Sequence, residues 1–159
     1  MKIVGTGSCL PQRVVSNDDL AAIMDTSDEW ISSRTGIRNR HIATTETTTS
    51  LACDAVKSAL QDAGIDGSEI DLIIAASVST DKIVPSLACQ IQAEIGAGSA
   101  VAFDINAACS GFLFGLATAD AYFKTGRFHK AVVEGAEVLS KIMDWNDRST
   151  CVLFGDGAG

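Results

Sequence analysis

Proline and histidine are scarce in this chain of 159 residues, since each occurs only twice. No apolar run approaches the roughly 20 residues that cross a bilayer, so we expect no membrane partner. Gly5 interrupts the first apolar residues too early for a secretory signal. Basic residues number 12 against 20 acidic ones, and the net charge of −8 argues against a nucleic-acid partner. We therefore expect a cytoplasmic protein.

The cysteines do not form a pattern typical of disulfides or metal sites. Their number, five, is odd, and no two of them are spaced as Cys-x-x-Cys. Neither histidine has the spacing to a cysteine that a zinc site requires, so we expect no bound metal. The absence of a nearby resolving cysteine also disfavours a thiol-redox protein.

The hydrophobic pattern alternates between helices and short buried strands. Residues 47–63 form a clear amphipathic helix, while 71–79 and 100–106 are apolar runs of the kind buried on both faces of a sheet. Further strands are predicted at 1–9, at 130–138 and from residue 150 to 154. This order predicts an α/β fold with a mostly parallel sheet, whose functional residues lie at the carboxyl ends of the strands.

Cys109 is the candidate nucleophile. It follows the predicted strand at 100–106 and begins the next helix, where the helix dipole favours a thiolate. Small neighbours at 107, 108, 110 and 111 leave room for a substrate, and the Cys109 backbone N–H is placed to stabilise an oxyanion. The alternative, a buried and inert cysteine, has similar weight on the residues alone. The other four cysteines lack a helix N-terminus to activate them.

A second group of residues is basic and aromatic. Arg34, Arg38 and Arg40 lie a few residues from Trp30, and Thr26 with Glu29 fits a helix capping box. Arginine binds phosphates and tryptophan stacks on bases, which suits a nucleotide-like ligand, although a solvated helix face explains the pattern equally well. His41 and His129 are the only histidines available as a base for Cys109, and a structural role is favoured for both.

Five segments together resemble the β-ketoacyl-acyl-carrier-protein synthase III family of thiolase-like condensing enzymes. They are GTGSCLP near the start, TSDEWISSRTGIRNRHIA at 26–43, PSLACQIQ at 85–92, FDINAACSGF at 103–112 and DRSTCVLFGDGAG at 147–159. The resemblance covers the whole chain. It implies a thiolase-like fold, in which this chain is one βαβαβαβ-type half, residues 1–159, of a five-layered αβαβα subunit.

The resemblance also implies roles for individual residues. Cys109 matches the nucleophile that takes an acyl primer from an acyl-CoA, after which the primer condenses with malonyl-acyl carrier protein. The remaining positions match contacts to coenzyme A, at Thr26, Trp30, Arg34 and Arg148, and residues of the acyl pocket, at Val84, Leu139 and Phe154. Coenzyme A enters as a thioester substrate, no permanently bound cofactor is implied, and the family forms homodimers.

The chain departs from the family in covering only its first half. The histidine and asparagine that promote decarboxylation of the malonyl group lie in the second half of the family, and His41 and His129 do not match them. We therefore expect this chain alone to condense little or nothing. The alternatives are a ketosynthase or acyltransferase of secondary metabolism and a truncated assembly module without catalysis.

Overall fold

The computed structural model describes residues 1–159, which form two sheets surrounded by helices. A two-stranded antiparallel sheet pairs β1 (Val14–Ser16) with β2 (Asn39–His41). The main sheet has the order β4-β3-β5-β6, and its strands are β3 (Leu72–Ala76), β4 (Val101–Ile105), β5 (Ala131–Val138) and β6 (Asp156–Ala158). Strands β3, β4 and β5 are parallel and β6 is antiparallel to β5. The predicted mostly parallel α/β sheet is confirmed.

Helices cover both faces of the main sheet. The helices are α1 (Asn17–Ala21), α2 (Asp28–Thr35), α3 (Thr48–Ala63), α4 (Leu87–Glu94), α5 (Gly111–Lys124) and α6 (Arg148–Cys151). One core cluster joins α3 and α4 to the sheet, and another joins α5 to β3. None of the helices combines the length and the apolar character that crossing a bilayer requires.

Strand β3 is the centre of this arrangement because all five of its residues are buried. It pairs with β4 on one edge and with β5 on the other, so its backbone is satisfied within the sheet. Its side chains contribute to the cluster with α3 and α4 on one face and to the cluster with α5 on the other. The continuous apolar run of the sequence follows from this double burial.

Local signals set most of the helix ends. Thr47 caps α3 and forms a capping box with Ser50, and Gly64 ends the helix with φ of 65°. The predicted capping box of Thr26 with Glu29 is wrong, because Ser27 caps α2 and accepts a bond from the Trp30 backbone N–H. Thr26 therefore lies one residue outside the cap.

Two predicted strands are absent. Residues 1–8 belong to no strand, and only Cys9 pairs, through one antiparallel bridge to Ala158. The backbone of Gly159 bonds to that of Gly135. The strand predicted from residue 150 to 154 is instead the end of α6 and a turn, because Asp147 caps a short helix there.

Glu134 is a buried carboxyl group in the middle of β5. Its exposed fraction is 1%, and neither carboxyl oxygen has a hydrogen-bond partner. Burial, with smaller contributions from Glu137 and Asp104, raises the pKa of Glu134 to about 8. The group is therefore mostly protonated near neutral pH, since the charged form has no compensating partner.

Replacement of Glu134 by glutamine tests this assignment. The pKa of Glu134 is raised in the folded state, so its ionisation destabilises the fold progressively as pH rises from about 4.5 towards 8. We expect the free energy of unfolding of the unmodified chain to fall by roughly 3 kcal/mol between pH 5 and pH 8 from this group alone. Urea unfolding at both pH values measures the difference.

The Glu134→Gln variant should lose this part of the pH dependence and be more stable at pH 8. Exposed Glu29 provides the matched control, since Glu29→Gln should keep the full pH dependence. An unchanged pH profile in Glu134→Gln would show that the carboxyl is not held neutral.

Candidate active site

The candidate site lies at the carboxyl edge of the parallel strands. The register aligns Ala76 of β3 with Ile105 of β4, and the same Ala76 with Gly135 of β5. The segments that follow these strands therefore leave the sheet on one side. Parallel strands predict functional turns at 7–9, 79–80, 106–109 and 138–139. The structure brings the last three to this edge, whereas the turn at 7–9 follows no strand of the main sheet.

Cys109 is exposed and lies in a single 3₁₀ turn, Ala108–Ser110, between β4 and α5. Ala108 has φ of 46°, in the left-handed region that residues with a side chain seldom adopt. Such strain is often found beside functional groups, as in the strand–nucleophile–helix turn of hydrolases. The predicted helix start at Cys109 is therefore two residues early, but the thiol still stands next to the N-terminus of α5.

Glycine allows α5 to approach the sheet directly after the nucleophile. A Cβ on Gly111 would lie 2.9 Å from the Cβ of Ala76, and one on Gly115 would lie 2.7 Å from Cγ1 of Val133. The sequence interpretation assigned Gly111 to substrate access, whereas the structure shows that it faces β3. This close packing fixes the position of Cys109 relative to the carboxyl edge of the sheet.

Carboxylates that sequence reasoning missed hold the loops of this edge. Glu137 accepts bonds from the Val78 backbone N–H at 2.8 Å and from the hydroxyl of Ser79. Asp104 accepts the backbone N–H groups of Leu87 and Ala88 at the start of α4, at 2.9 and 2.7 Å. The available signal was the presence of acidic residues inside apolar strands, since a carboxylate that is partly removed from water needs hydrogen-bond donors.

A further carboxylate, Asp156, fixes the segment after β5. It accepts bonds from the Ser140 backbone N–H at 2.9 Å, from the Ser140 hydroxyl at 2.6 Å and from the Ala43 backbone N–H at 2.7 Å. These contacts hold the loop that begins at Leu139. Asp156 belongs to the Gly-Asp-Gly motif, so the motif serves loop anchoring here.

Neither histidine is placed as a base for Cys109. His129 precedes β5, so it lies at the amino edge of the parallel strands, opposite Cys109. The Nδ1 of His41 lies 2.6 Å from the carbonyl oxygen of Pro11, which occupies that nitrogen. The side chain of His41 is thus hydrogen-bonded, and the side chain of His129 is exposed.

Three of the other cysteines are poor nucleophiles for a physical reason. Burial raises the pKa of Cys53 to about 11 and also raises the pKa of Cys9 and of Cys151. All three are therefore thiols at neutral pH.

Trp30 is a platform for two guanidinium groups. The Cζ of Arg34 lies 4.6 Å from the ring centroid and that of Arg148 lies 4.8 Å from it. Arg148 is also held by Asp25, through its backbone carbonyl and a carboxylate contact of 3.5 Å. The structure thus brings Arg148 to Trp30 and Arg34, although Arg148 lies more than 100 residues later in the chain. A nucleobase that stacks between the Trp30 ring and Arg148 must displace the Arg148 guanidinium.

Thr26 and Arg40 differ from expectation. The hydroxyl of Thr26 is buried and has no hydrogen-bond partner. Arg40 is 5% exposed and donates to the carbonyl oxygen of Val15 and to the side chain of Asn17, so it joins β2 to the first helix. Arg40 is therefore a structural residue, and Arg38 is exposed and pairs with Asp28 at 3.7 Å.

The predicted pocket residues lie on loops at the carboxyl edge of the sheet. Leu139 is half-buried directly after β5, and Phe154 is 38% exposed in the turn before β6. Val84 is 82% exposed, next to Ile83 at 92%. An apolar pair so fully exposed is unusual for a monomer and is typical of a contact with another chain.

Comparisons with known proteins agree with this geometry. The family model described as 3-oxoacyl-[acyl-carrier-protein (ACP)] synthase III matches residues 103–159, which contain Cys109. The β-ketoacyl-[acyl-carrier-protein] synthase III of Clostridium acetobutylicum is 55% identical over 159 residues, covering 100% of this chain and 49% of that protein.

Solved structures extend the comparison to the fold. The crystal structure of 3-oxoacyl-[acyl-carrier-protein] synthase III from Aquifex aeolicus superposes with a TM-score of 0.97 at 54% identity, over 99% of this chain and 51% of that one. The priming β-ketosynthase of the R1128 polyketide pathway superposes with a TM-score of 0.95 at 39% identity, over 99% and 47%.

This chain is similar along its whole length to about half the length of known 3-oxoacyl-[acyl-carrier-protein] synthase III proteins. The resemblance seen in the sequence is confirmed, and so is the thiolase-like α/β fold. The chain spans about half the length of the synthase III relatives that it matches. The roles of its individual site residues stay predictions.

The packing of Gly111 gives a testable consequence. We expect Gly111→Ala to destabilise the chain by about 1–2 kcal/mol, because the new methyl group must push α5 away from Ala76. Gly98→Ala is the matched control, since nothing lies within 4 Å of a Cβ built there. Chemical unfolding of both variants checks the difference, and equal stability of the two would contradict the close contact.

Proposed function

We propose that this chain carries the acyl-accepting half-site of an initiating condensing enzyme of type II fatty-acid synthesis. The observation that carries the proposal is the exposed Cys109 in a strained turn between β4 and α5, at the edge where the loops converge. The similarity to synthase III proteins supports the same proposal.

The first step is acyl transfer from a coenzyme A thioester. The Cys109 thiolate attacks the thioester carbonyl, a new carbon–sulfur bond forms, and the coenzyme A thiolate leaves with the electron pair of the old bond. The N-terminus of α5 favours the attacking anion, and the backbone N–H of Cys109 stabilises the developing oxyanion. This step needs only residues of this chain.

The second step is condensation with malonyl-acyl carrier protein. Loss of carbon dioxide from the malonyl group generates a carbanion that attacks the acyl-Cys109 carbonyl and gives a 3-oxoacyl product. Decarboxylation needs hydrogen-bond donors that stabilise the enolate. Neither histidine of this chain is placed to be one, because His129 precedes β5 and the Nδ1 of His41 is bonded to the carbonyl oxygen of Pro11. We therefore assign the first step to this chain and expect little or no condensation from it.

Coenzyme A is the proposed ligand of the Trp30 surface. Adenine stacks between Trp30 and Arg148 once the guanidinium moves aside, and Arg34 remains to bind phosphate. Thr26 is the fourth proposed contact, and its hydroxyl, which is buried without a partner, must turn outwards to reach the ligand. Coenzyme A acts here as a substrate, and no permanently bound cofactor is proposed.

The acyl chain is proposed to lie beside Leu139 and Phe154, with Val84 reaching into the corresponding pocket of a second subunit. The exposure of Ile83 and Val84 supports a homodimer with this exchange. A cytoplasmic location, with acyl-CoA and malonyl-acyl carrier protein as partners, belongs to the same proposal.

Two alternatives have specific support. The R1128 priming ketosynthase superposes as well as the fatty-acid enzymes, which keeps a role in secondary metabolism open. The exposed Leu113 and Phe114 on α5 favour assembly with another polypeptide, as expected of a module without catalysis. Labelling of Cys109 separates catalysis from assembly alone.

Intact-mass spectrometry with acetyl-CoA tests the first step. We expect the unmodified chain to gain one acetyl group, because Cys109 is the exposed nucleophile of the site. Cys109→Ala should stay unmodified, whereas the matched control Cys89→Ala, which removes a half-buried cysteine of α4, should be labelled normally. The same samples, given malonyl-acyl carrier protein, should yield little or no ketoacyl product. An unlabelled chain, or labelling that survives Cys109→Ala, would contradict the proposal.

Calorimetry with coenzyme A tests the ligand surface, using Cys109→Ala as the background to prevent turnover. We expect Trp30→Ala and Arg148→Ala each to weaken binding about tenfold, because each removes one side of the stack. Arg127→Ala is the control, since Arg127 lies over the ring of Phe128 away from the site. Equal affinities across the four proteins would show that coenzyme A binds elsewhere.

A further inference from the structure

The structure places the guanidinium of Arg148 directly over the ring of Trp30. Its Cζ lies 4.8 Å from the ring centroid, and 45% of the Arg148 side chain is exposed, so contacts cover more than half of it. A cation over an aromatic face is attracted by the electrons of the ring. A nucleobase that stacks on Trp30 needs the space that this guanidinium fills. The contact between Arg148 and Trp30 therefore competes with the ligand.

Asp25 holds the guanidinium in this arrangement. The Nη1 of Arg148 donates to the backbone carbonyl oxygen of Asp25 and lies 3.5 Å from Oδ2 of its carboxylate. The side chain of Asp25 is otherwise fully exposed, and its ion pair with Arg148 is the only one that it forms. Loss of the carboxylate charge therefore changes this contact and leaves the packing of the protein intact.

Both partners of the contact are carried by anchored segments. Met24, which precedes Asp25, and Cys151, which ends α6, pack in the same core cluster, and their sulfur atoms are 3.5 Å apart. Asp147 caps α6 directly before Arg148. The backbones of Asp25 and Arg148 are thus fixed relative to each other. Uncovering the Trp30 ring needs only a rotation of the Arg148 side chain.

Arg34 lies over the same ring but is held differently. It follows Trp30 by one helical turn in α2, its Cζ is 4.6 Å from the ring centroid, and its Nη1 donates to the Trp30 carbonyl oxygen at 3.2 Å. Its contacts are therefore within the helix that carries the ring. Arg148 instead reaches the ring from another segment and is tied there by a carboxylate.

We propose that Asp25 is a positioning residue that holds Arg148 over Trp30 and thereby lowers the affinity of this surface for a nucleotide, a role that rests on the proposed binding of coenzyme A. A ligand that binds only the open arrangement has its apparent affinity reduced by the open fraction. An exposed ion pair changes such an equilibrium by up to about fivefold. Asp25 therefore tunes the surface and does not block it.

Replacement of the two partners should have opposite effects on binding. Arg148 covers the ring but also stacks on the bound base, so its loss weakens the complex, as expected above. Asp25 contacts the covering guanidinium, so loss of its charge raises the open fraction and keeps both sides of the stack. A residue that only supported the fold of this surface would weaken binding when replaced. The sign of the effect thus separates a latch from a structural role.

Stopped-flow tryptophan fluorescence with coenzyme A measures both rate constants, in the Cys109→Ala background. We expect Asp25→Asn to raise the association rate constant about two- to fivefold and to change the dissociation rate constant less, so that coenzyme A binds more tightly. Glu29→Gln is the matched control, because it removes the same charge from an exposed residue next to Trp30 that forms no ion pair with Arg148. An equal rise in both variants would show a general effect of charge and overturn the proposal.

Proton NMR tests the latch in the same proteins before coenzyme A is added. The guanidinium protons of Arg148 lie over the Trp30 ring, so the ring current should shift their resonances upfield. We expect Asp25→Asn to move these resonances back towards the values of a short peptide, whereas Glu29→Gln should leave them in place. Unchanged resonances in Asp25→Asn would show that Asp25 does not hold the guanidinium.

The unmodified chain separates the role of Asp25 from the proposed function. Absence of coenzyme A binding to the unmodified chain would overturn the proposed function and the role of Asp25 together. Binding of coenzyme A with rate constants that Asp25→Asn leaves unchanged, or weaker binding to that variant, would overturn the role of Asp25 alone.

Discussion

The complete burial of β3 is the constraint on which the rest of the structure depends. Five consecutive residues, Leu72–Ala76, are buried, so both edges of the strand need partner strands and both faces need helices. Pairing with β4 and β5 in parallel sends three connections out on one side of the sheet. Cys109, Leu139 and the loop that ends at Val84 lie on those connections. Their convergence therefore follows from the burial of one apolar strand.

The glycines of α5 refine this position. Helix α5 can lie against β3 and β5 only because Gly111 and Gly115 present no side chain to Ala76 and Val133. The turn before the helix must accommodate this close approach, and Ala108 in that turn adopts the left-handed conformation. Close helix packing and an exposed nucleophile are thus two results of the same short segment. The acidic residues Asp104, Glu137 and Asp156 then fix the surrounding loops through backbone N–H groups.

Sequence reasoning predicted the elements that depend on local pattern. The apolar run of β3, the capped helix α3 and the turn that carries Cys109 all have signals within about fifteen residues. It failed for residues 1–8, since an apolar segment becomes a strand only when a partner is present along its whole length. It failed at residues 150–154, where the Asp147 cap outweighs the apolar pattern. Sequence reasoning also assigned Arg40 to a binding surface, because the spacing of Arg34, Arg38 and Arg40 does not show which side chain points inward. The contact of Trp30 with Arg148 also required the fold, since the two residues are distant in the chain.

The cations around Trp30 have a consequence for the kinetics of binding. The chain carries a net charge of −8, whereas two guanidinium groups, those of Arg34 and Arg148, lie over the Trp30 ring. In physiological salt, charges farther away than the Debye length of about 8 Å are screened, so a distant polyphosphate ligand senses neither the net charge nor the arginines. In dilute buffer the same ligand first meets the repulsion of the whole molecule. Only on close approach does the local attraction dominate. Added salt should therefore act in opposite directions, speeding the encounter of an anionic ligand with this surface while weakening the complex once it has formed.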